Sequence, residues 1–164
     1  MSRIRRRDTR PELALRRGLH ARGWRYFVGR PVAGVSRCRP DLLFPRLRLA
    51  VFVDGCFWHF CVEHTHLPTA NAAYWHAKLL ANRRRDVAHD HELRSAGWAV
   101  VRVWEHTPPA EAIDAVEAVL RCCGARRWTC DAGAPRRPHR EVRIAGPTAL
   151  SDRSPRAASS RRRR

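Results

Sequence analysis

The chain has 164 residues, 44% of them hydrophobic, and a formal net charge of +18 from 33 basic against 15 acidic side chains. That content suffices for one soluble domain, and the lack of any apolar run near bilayer length, or of a signal pattern behind Arg3, Arg5, Arg6 and Arg7, argues against membrane and secreted classes and for a cytoplasmic protein. Every basic residue except Lys78 is arginine, the side chain best suited to phosphate, and cysteines in a chain without an export signal read as metal ligands or buried thiols before disulfides.

In chain order, Thr9-Arg10-Pro11-Glu12 opens a helix: Thr9 suits the N-cap, Pro11 the first turn, and Glu12 stands where a capping box needs it. Leu13, Leu15 and Leu19 follow and Gly23 stops the helix. Trp24 to Val28 reads as a short strand, then a Gly/Pro loop runs to Arg39. Residues 40–45 and Leu47 to Val53 read as two buried strands joined by a tight turn. A loop follows as far as Pro68, then a helix from Asn71 to Ala96 with a bend near Asn82. Ala99 to Trp104 is a further buried strand and Ala110 to Cys122 a last amphipathic helix. The order predicts an α/β domain over residues 1–123 with a mixed sheet flanked by helices. Residues 124–164 form a basic tail: from Arg126 onward twelve arginines stand against Asp131, Glu141 and Asp152, with scattered Pro, Gly and Ser and no hydrophobic period, so it is expected to stay disordered and to meet phosphates nonspecifically.

The most informative stretch is Asp54 to His64, which follows the apolar run directly. Cys56, Cys61 and His64 have the spacing of ligands that converge on one Zn²⁺, whereas Asp54 is a hard ligand of the kind Mg²⁺ takes. Three ligands do not close a structural zinc site. The fourth must come from a distance: His106, after the strand ending in Trp104-Glu105, His66, Cys122 and Cys123 are each competent ligands near an element end. Asp41 begins one strand and Asp54 ends the next, so an antiparallel hairpin brings both carboxylates to one sheet edge, where they can hold Mg²⁺ and leave positions for a phosphate and water. Singly, either Asp also serves as a turn residue, Glu12 as a cap, and His59 as a zinc ligand. Phe57 and Trp58 are either wedges for something flat or a buried pair under the loop.

Taken in order and spacing, Pro40-Asp41, Val51-Phe52-Val53-Asp54-Gly55-Cys56-Phe57-Trp58-His59, Asn82-Arg83-Arg84-Arg85-Asp86, Gly97-Trp98 and Val103-Trp104-Glu105-His106 resemble the very-short-patch repair (Vsr) DNA mismatch endonuclease family. The resemblance implies a restriction-endonuclease-like fold with a structural zinc, His106 standing at the position of a family zinc ligand, and a Mg²⁺-dependent nick 5′ to the thymine of a T:G mismatch in double-stranded DNA, performed by a monomer associated with the nucleoid. It implies a catalytic set of Asp41, His59, Glu12, Asp54 and Asp86: Asp41 as principal metal aspartate, Glu12 as an acid acting through water, His59 as general base, and Asp86 orienting it. Asp54 stands where some members have histidine, and would bind metal directly. Phe57 and Trp58 match aromatics that wedge into the base stack. Two other classes stay open: a restriction-like nuclease of other specificity, and a noncatalytic zinc module for DNA in which the aspartates are turn residues.

Overall fold

The computed structural model describes residues 8–35, 38–128 and 142–144. Its elements are α1 (Arg10–Ala21), β1 (Phe27–Val28), β2 (Leu42–Phe44), a single 3₁₀ turn (Pro45–Leu47), β3 (Leu49–Asp54), α2 (Ala72–Ser95), β4 (Ala99–Trp104), α3 (Pro109–Trp128) and β5 (Val142–Ile144). The strands lie in sequence order in one sheet. β1, β2 and β3 pair antiparallel, and β4 and β5 add to β3 in parallel. The expected mixed sheet flanked by helices is therefore what forms.

Local sequence accounts for the elements. Thr9 caps α1 through the Glu12 amide, and the Glu12 carboxylate returns to the Thr9 hydroxyl at 3.1 Å and the Asp8 amide at 3.0 Å. The 3₁₀ turn closes the β2/β3 hairpin with Arg48 left-handed at φ 49°. Leu49 to Val51 and Ala99 to Val103 are mostly small or β-branched and are buried, as strands at the centre of a covered sheet must be. α2 has little apolar periodicity; Ala, Leu, Arg and Lys hold it by propensity, and Leu79, Asp90 and Leu93 are its buried positions.

Alternation along the strands divides the core. Leu42, Phe44, Leu49, Val51, Val101 and Val103 meet Leu15 and Leu19 of α1 and Val116 and Leu120 of α3. Gly18 lets α1 and α3 approach, since a Cβ there would overlap the Ile113 side chain. Leu43, Ala50 and Val100 face Leu93 of α2 together with Val32, Val35 and Cys38. On that second face the alternation also places Phe52 and Asp54 of β3 and Arg102 of β4.

Several boundaries differ from the sequence reading, the two hairpin strands being Leu42–Phe44 and Leu49–Asp54 around the 3₁₀ turn. Trp24 to Tyr26 stay out of the sheet because their side chains serve the helices: Trp24 Nε1 donates to Glu117 of α3 and the Tyr26 hydroxyl to the Arg16 carbonyl of α1. α2 is one continuous helix through Asn82. α3 continues past Cys122 to Trp128, and Val142–Ile144 pairs with β4, so part of the expected tail adds an edge strand. The β-branched Val142 and Ile144 suit that pairing. The remainder of the expected tail lies outside the described residues.

Candidate active site and metal centre

The hairpin register sets Leu42 against Val51, so Asp41 falls beside the end of β3 and Asp54 terminates it. Asp41 Oδ2 accepts a 2.7 Å hydrogen bond from the Val53 amide. Burial, with the charges of Glu12 and Asp54 added, pushes the Asp41 pKa up to about 6 despite that bond. Glu12 is buried at 4% exposure and takes a 3.0 Å bond from Arg16. It both caps α1 and contributes negative charge near Asp41.

Asp54, Asp86 and His59 come together where β3, α2 and the loop between them meet. His59 Nδ1 lies 2.7 Å from Asp86 Oδ2 and 3.7 Å from Asp54 Oδ1. An ionised carboxylate only accepts, so Nδ1 carries the proton, and in the neutral ring Nε2 is left with the lone pair. Burial opposes the imidazolium, yet the Asp86 hydrogen bond and the Asp54 and Asp86 charges outweigh it and hold the His59 pKa above its ordinary value. For Asp86, burial is likewise outweighed, by the His59 bond and charge, and its pKa falls below the usual range.

Sequence reasoning missed the residue that ties these acids together. Arg102 Nη1 bonds both Asp54 oxygens at 2.7 and 3.0 Å, while Nε and Nη2 bond Asp90 at 2.9 to 3.1 Å. Its Nη2 is 4.0 Å from Asp86 Oδ1. A lone arginine inside the apolar strand Ala99–Trp104 was the signal available.

Asp54 is thus engaged by a guanidinium, not standing free. Each carboxylate oxygen still keeps a second lone pair and so can accept a further partner.

The second centre is a few residues away. The Sγ atoms of Cys56 and Cys61 and one ring nitrogen each of His64 and His106 lie within 4.8 Å of one another. Among these, Cys56 Sγ is 3.0 Å from His106 Nδ1 and 4.0 Å from His64 Nδ1, and Cys61 Sγ is 3.6 Å from His64 Nδ1 and 3.9 Å from His106 Nδ1. Tetrahedral ligands at zinc–sulfur and zinc–nitrogen lengths near 2.3 and 2.0 Å are about 3.6 Å apart, so the donor set fits a metal of that kind. Local structure explains the convergence. Phe60 is left-handed at φ 59°, which curls the loop so that the Cys61 amide bonds the Cys56 carbonyl at 2.9 Å. Glu105 braces the other side, accepting from the Cys56 amide at 2.6 Å. Glu63 Oε2 lies 3.7 Å from His106 Nε2, the outer nitrogen that a carboxylate orients in metal sites. Of the rivals, His66 and Cys122 are exposed and Cys123 packs against the core; none joins the cluster.

Phe57 and Trp58 sit inside the Cys56–Cys61 span. Their rings meet edge to face at 5.1 Å, and both pack on Trp75 of α2, at 5.5 and 6.3 Å. Tyr74 adds a fourth ring, 58% exposed, with Lys78 Nζ 5.5 Å above it. Phe57 and Trp58 are half-buried, so neither is a core residue nor fully free. Trp75 was not singled out from sequence, because one tryptophan in a helix of weak periodicity carries no pattern.

Residues 1–64 match the family model described as DNA mismatch endonuclease Vsr. The chain is 45% identical over 119 residues to the Type II nicking enzyme V.NaeI of Lentzea aerocolonigenes, covering 71% of each. It is 40% identical over 106 residues to the Type II nicking enzyme V.XorIIP of Xanthomonas oryzae pv. oryzae, covering 64% of this chain and 76% of the relative. With the DNA mismatch endonuclease Vsr of Escherichia coli it shares 36% identity over 70 residues, 41% of this chain and 44% of that one.

Proposed function

The chain belongs to the DNA mismatch endonuclease Vsr family, and from that premise we propose that this DNA endonuclease nicks one strand of duplex DNA at a T:G mismatch, using Mg²⁺ and a structural Zn²⁺. The restriction-endonuclease-like fold follows from the family. The observation that carries the mechanistic reading is His59 held between Asp54 and Asp86 at the sheet edge where Asp41 lies.

In this reading Asp41 and Asp54 hold the divalent cation. Asp41 fits because a buried carboxylate crowded by two others is stabilised by an added positive charge. Bound there, Mg²⁺ supplies Lewis-acid charge to the scissile phosphate. The rest is done by the chain. His59 Nε2 takes a proton from the attacking water as its oxygen bonds to phosphorus and the bond to the leaving sugar oxygen breaks. Asp86 keeps the proton on Nδ1 and supports the imidazolium that results. Glu12 adds negative charge and acts through water. Phe57 and Trp58, backed by Trp75, enter the base stack at the weakly stacked mismatch. Cys56, Cys61, His64 and His106 hold zinc, which fixes the loop bearing both the rings and His59.

The noncatalytic alternative loses ground, since a pure binder has no use for an acidic group inside a surface of net positive charge. No helix among the described residues is long and apolar enough to cross a membrane. A monomer working on the nucleoid, with the basic tail adding phosphate contacts, completes the proposal.

The test is nick mapping on matched and T:G-containing duplexes with Mg²⁺, with an arm lacking it. Nicks confined to the mismatch support the reading. Equal nicking of a matched duplex means a nuclease of other specificity, and no nicking of any duplex leaves only binding.

A further inference from the structure

We propose that Arg102 is a positioning residue that fixes the two carboxylates flanking His59, and so sets the direction in which the imidazole presents Nε2. The proposal rests on the catalytic reading of His59 given above.

Arg102 is 8% exposed, yet its donors are spread over acids from two different elements: Asp54 at the end of β3, and Asp90 and Asp86 one turn apart on α2. Its guanidinium carbon lies 4.7 Å over the Phe52 ring, which fixes the plane of the fork. Asp54 Oδ1, bonded by Nη1, is the same oxygen that lies 3.7 Å from His59 Nδ1. Asp86 approaches that nitrogen with Oδ2 while Oδ1 faces Arg102. The imidazole therefore has two acceptors competing for one proton. Arg102 decides the contest by drawing Asp54 back, leaving Asp86 as the partner at 2.7 Å. A point charge on a flexible stem cannot bridge both elements in this way, so lysine is not an equivalent.

A merely structural role is the alternative, because removing one partner of a buried ion network destabilises any fold. Two readouts separate them. The first is the low-field proton signal of His59 Nδ1–H bonded to a carboxylate, read by NMR on zinc-loaded protein without DNA. The second is the single-turnover nicking rate per folded molecule. Arg102→Lys should displace or broaden the signal and lower the rate about 10²-fold, the cost of a small misplacement at a reacting group, with duplex affinity unchanged. Leu93→Ala, a fully buried residue on α2 outside the network, calibrates lost stability and should leave the signal in place. If the lysine variant does not fold, the paired change Arg102→Gln with Asp90→Asn removes one charge of each sign and should give the same displacement.

An unmoved His59 signal with wild-type rate in the arginine variants overturns the proposal, as does a loss in Leu93→Ala as large as in Arg102→Lys. If wild-type protein nicks no duplex, the catalytic reading fails by itself, and the signal alone still decides whether Arg102 sets the imidazole.

Discussion

His59 and Asp86 are 27 positions apart in sequence and 2.7 Å apart in space. The loop after β3 and the middle of α2 are brought to this contact by a side-chain tie as well as by packing, since Asn82 Nδ2 donates to the Trp58 carbonyl at 3.4 Å. One turn of helix separates Asn82 from Asp86, so the residue that anchors the loop also sets the distance to its histidine.

His59→Ala should lower single-turnover nicking by roughly 10²- to 10⁴-fold, the range for loss of a general base. Asp86→Asn should fall toward the low end of that loss with duplex binding kept, because the amide can donate to Nδ1 and favour the wrong tautomer. Near wild-type nicking by His59→Ala would reassign the residue to a structural role.

Asp41 has a built-in cost. Its pKa of about 6 exceeds the ordinary 3.8, so the folded protein binds this proton more tightly than the unfolded chain. Stability then falls as pH rises from about 4 through 6 and stays lowered above, by up to about 3 kcal/mol. Asp41→Asn keeps an acceptor for the Val53 amide and removes the buried charge. It should unfold at a higher temperature than wild type at pH 8 in zinc-loaded protein without Mg²⁺, show no such advantage at pH 4, and fail to nick. A variant less stable than wild type at pH 8 contradicts this account.

Zinc removal should unfold the loop and not only silence it. Cys56→Ser or Cys61→Ser should give poorly soluble protein with less than one equivalent of zinc, since binding energy in a closed site is folding energy. His106→Ala should weaken zinc retention, and elemental analysis after dialysis against a chelator measures it. Tight retention in that variant would move the fourth ligand elsewhere.

Phe57→Ala with Trp58→Ala should remove preference for the T:G duplex more than overall affinity, because arginines supply the sequence-independent part of binding. Truncation after Ile144 removes six arginines and should do the reverse. The salt dependence should flatten by about 0.9 in log–log slope for each phosphate that is no longer neutralised, with mismatch preference kept. A salt titration on matched and mismatched duplexes reads both. Equal weakening on the two duplexes in the aromatic variant would make the rings packing residues.

Much of the site is legible in the sequence because it is local or lies at strand ends. The antiparallel hairpin of two buried strands places Asp41 and Asp54 at one edge, and the spacing of Cys56, Cys61 and His64 marks three ligands within nine residues. Family motifs supply His106 and Asp86, which no periodicity marks. Arg102, Asp90 and Trp75 escape a reading of the sequence for one physical reason: each acquires its meaning from a neighbour on another element. Arg102 looks like an interruption of a strand and Asp90 like a solvated helix position until packing of α2 on the sheet sets them face to face. The strand β1 is shorter than its sequence suggests for the same cause, as Trp24 and Tyr26 spend their polar atoms on helices.

The Cys56–Cys61 hoop encloses Phe57, Trp58 and His59, and Phe60, left-handed within it, gives it little slack. On the proposed function the rings and the imidazole move as one, and a duplex that refuses the rings would carry His59 away from its phosphate. Such a device would add discrimination at the cutting step to the preference made in binding, so that errors in docking need not become breaks in the strand.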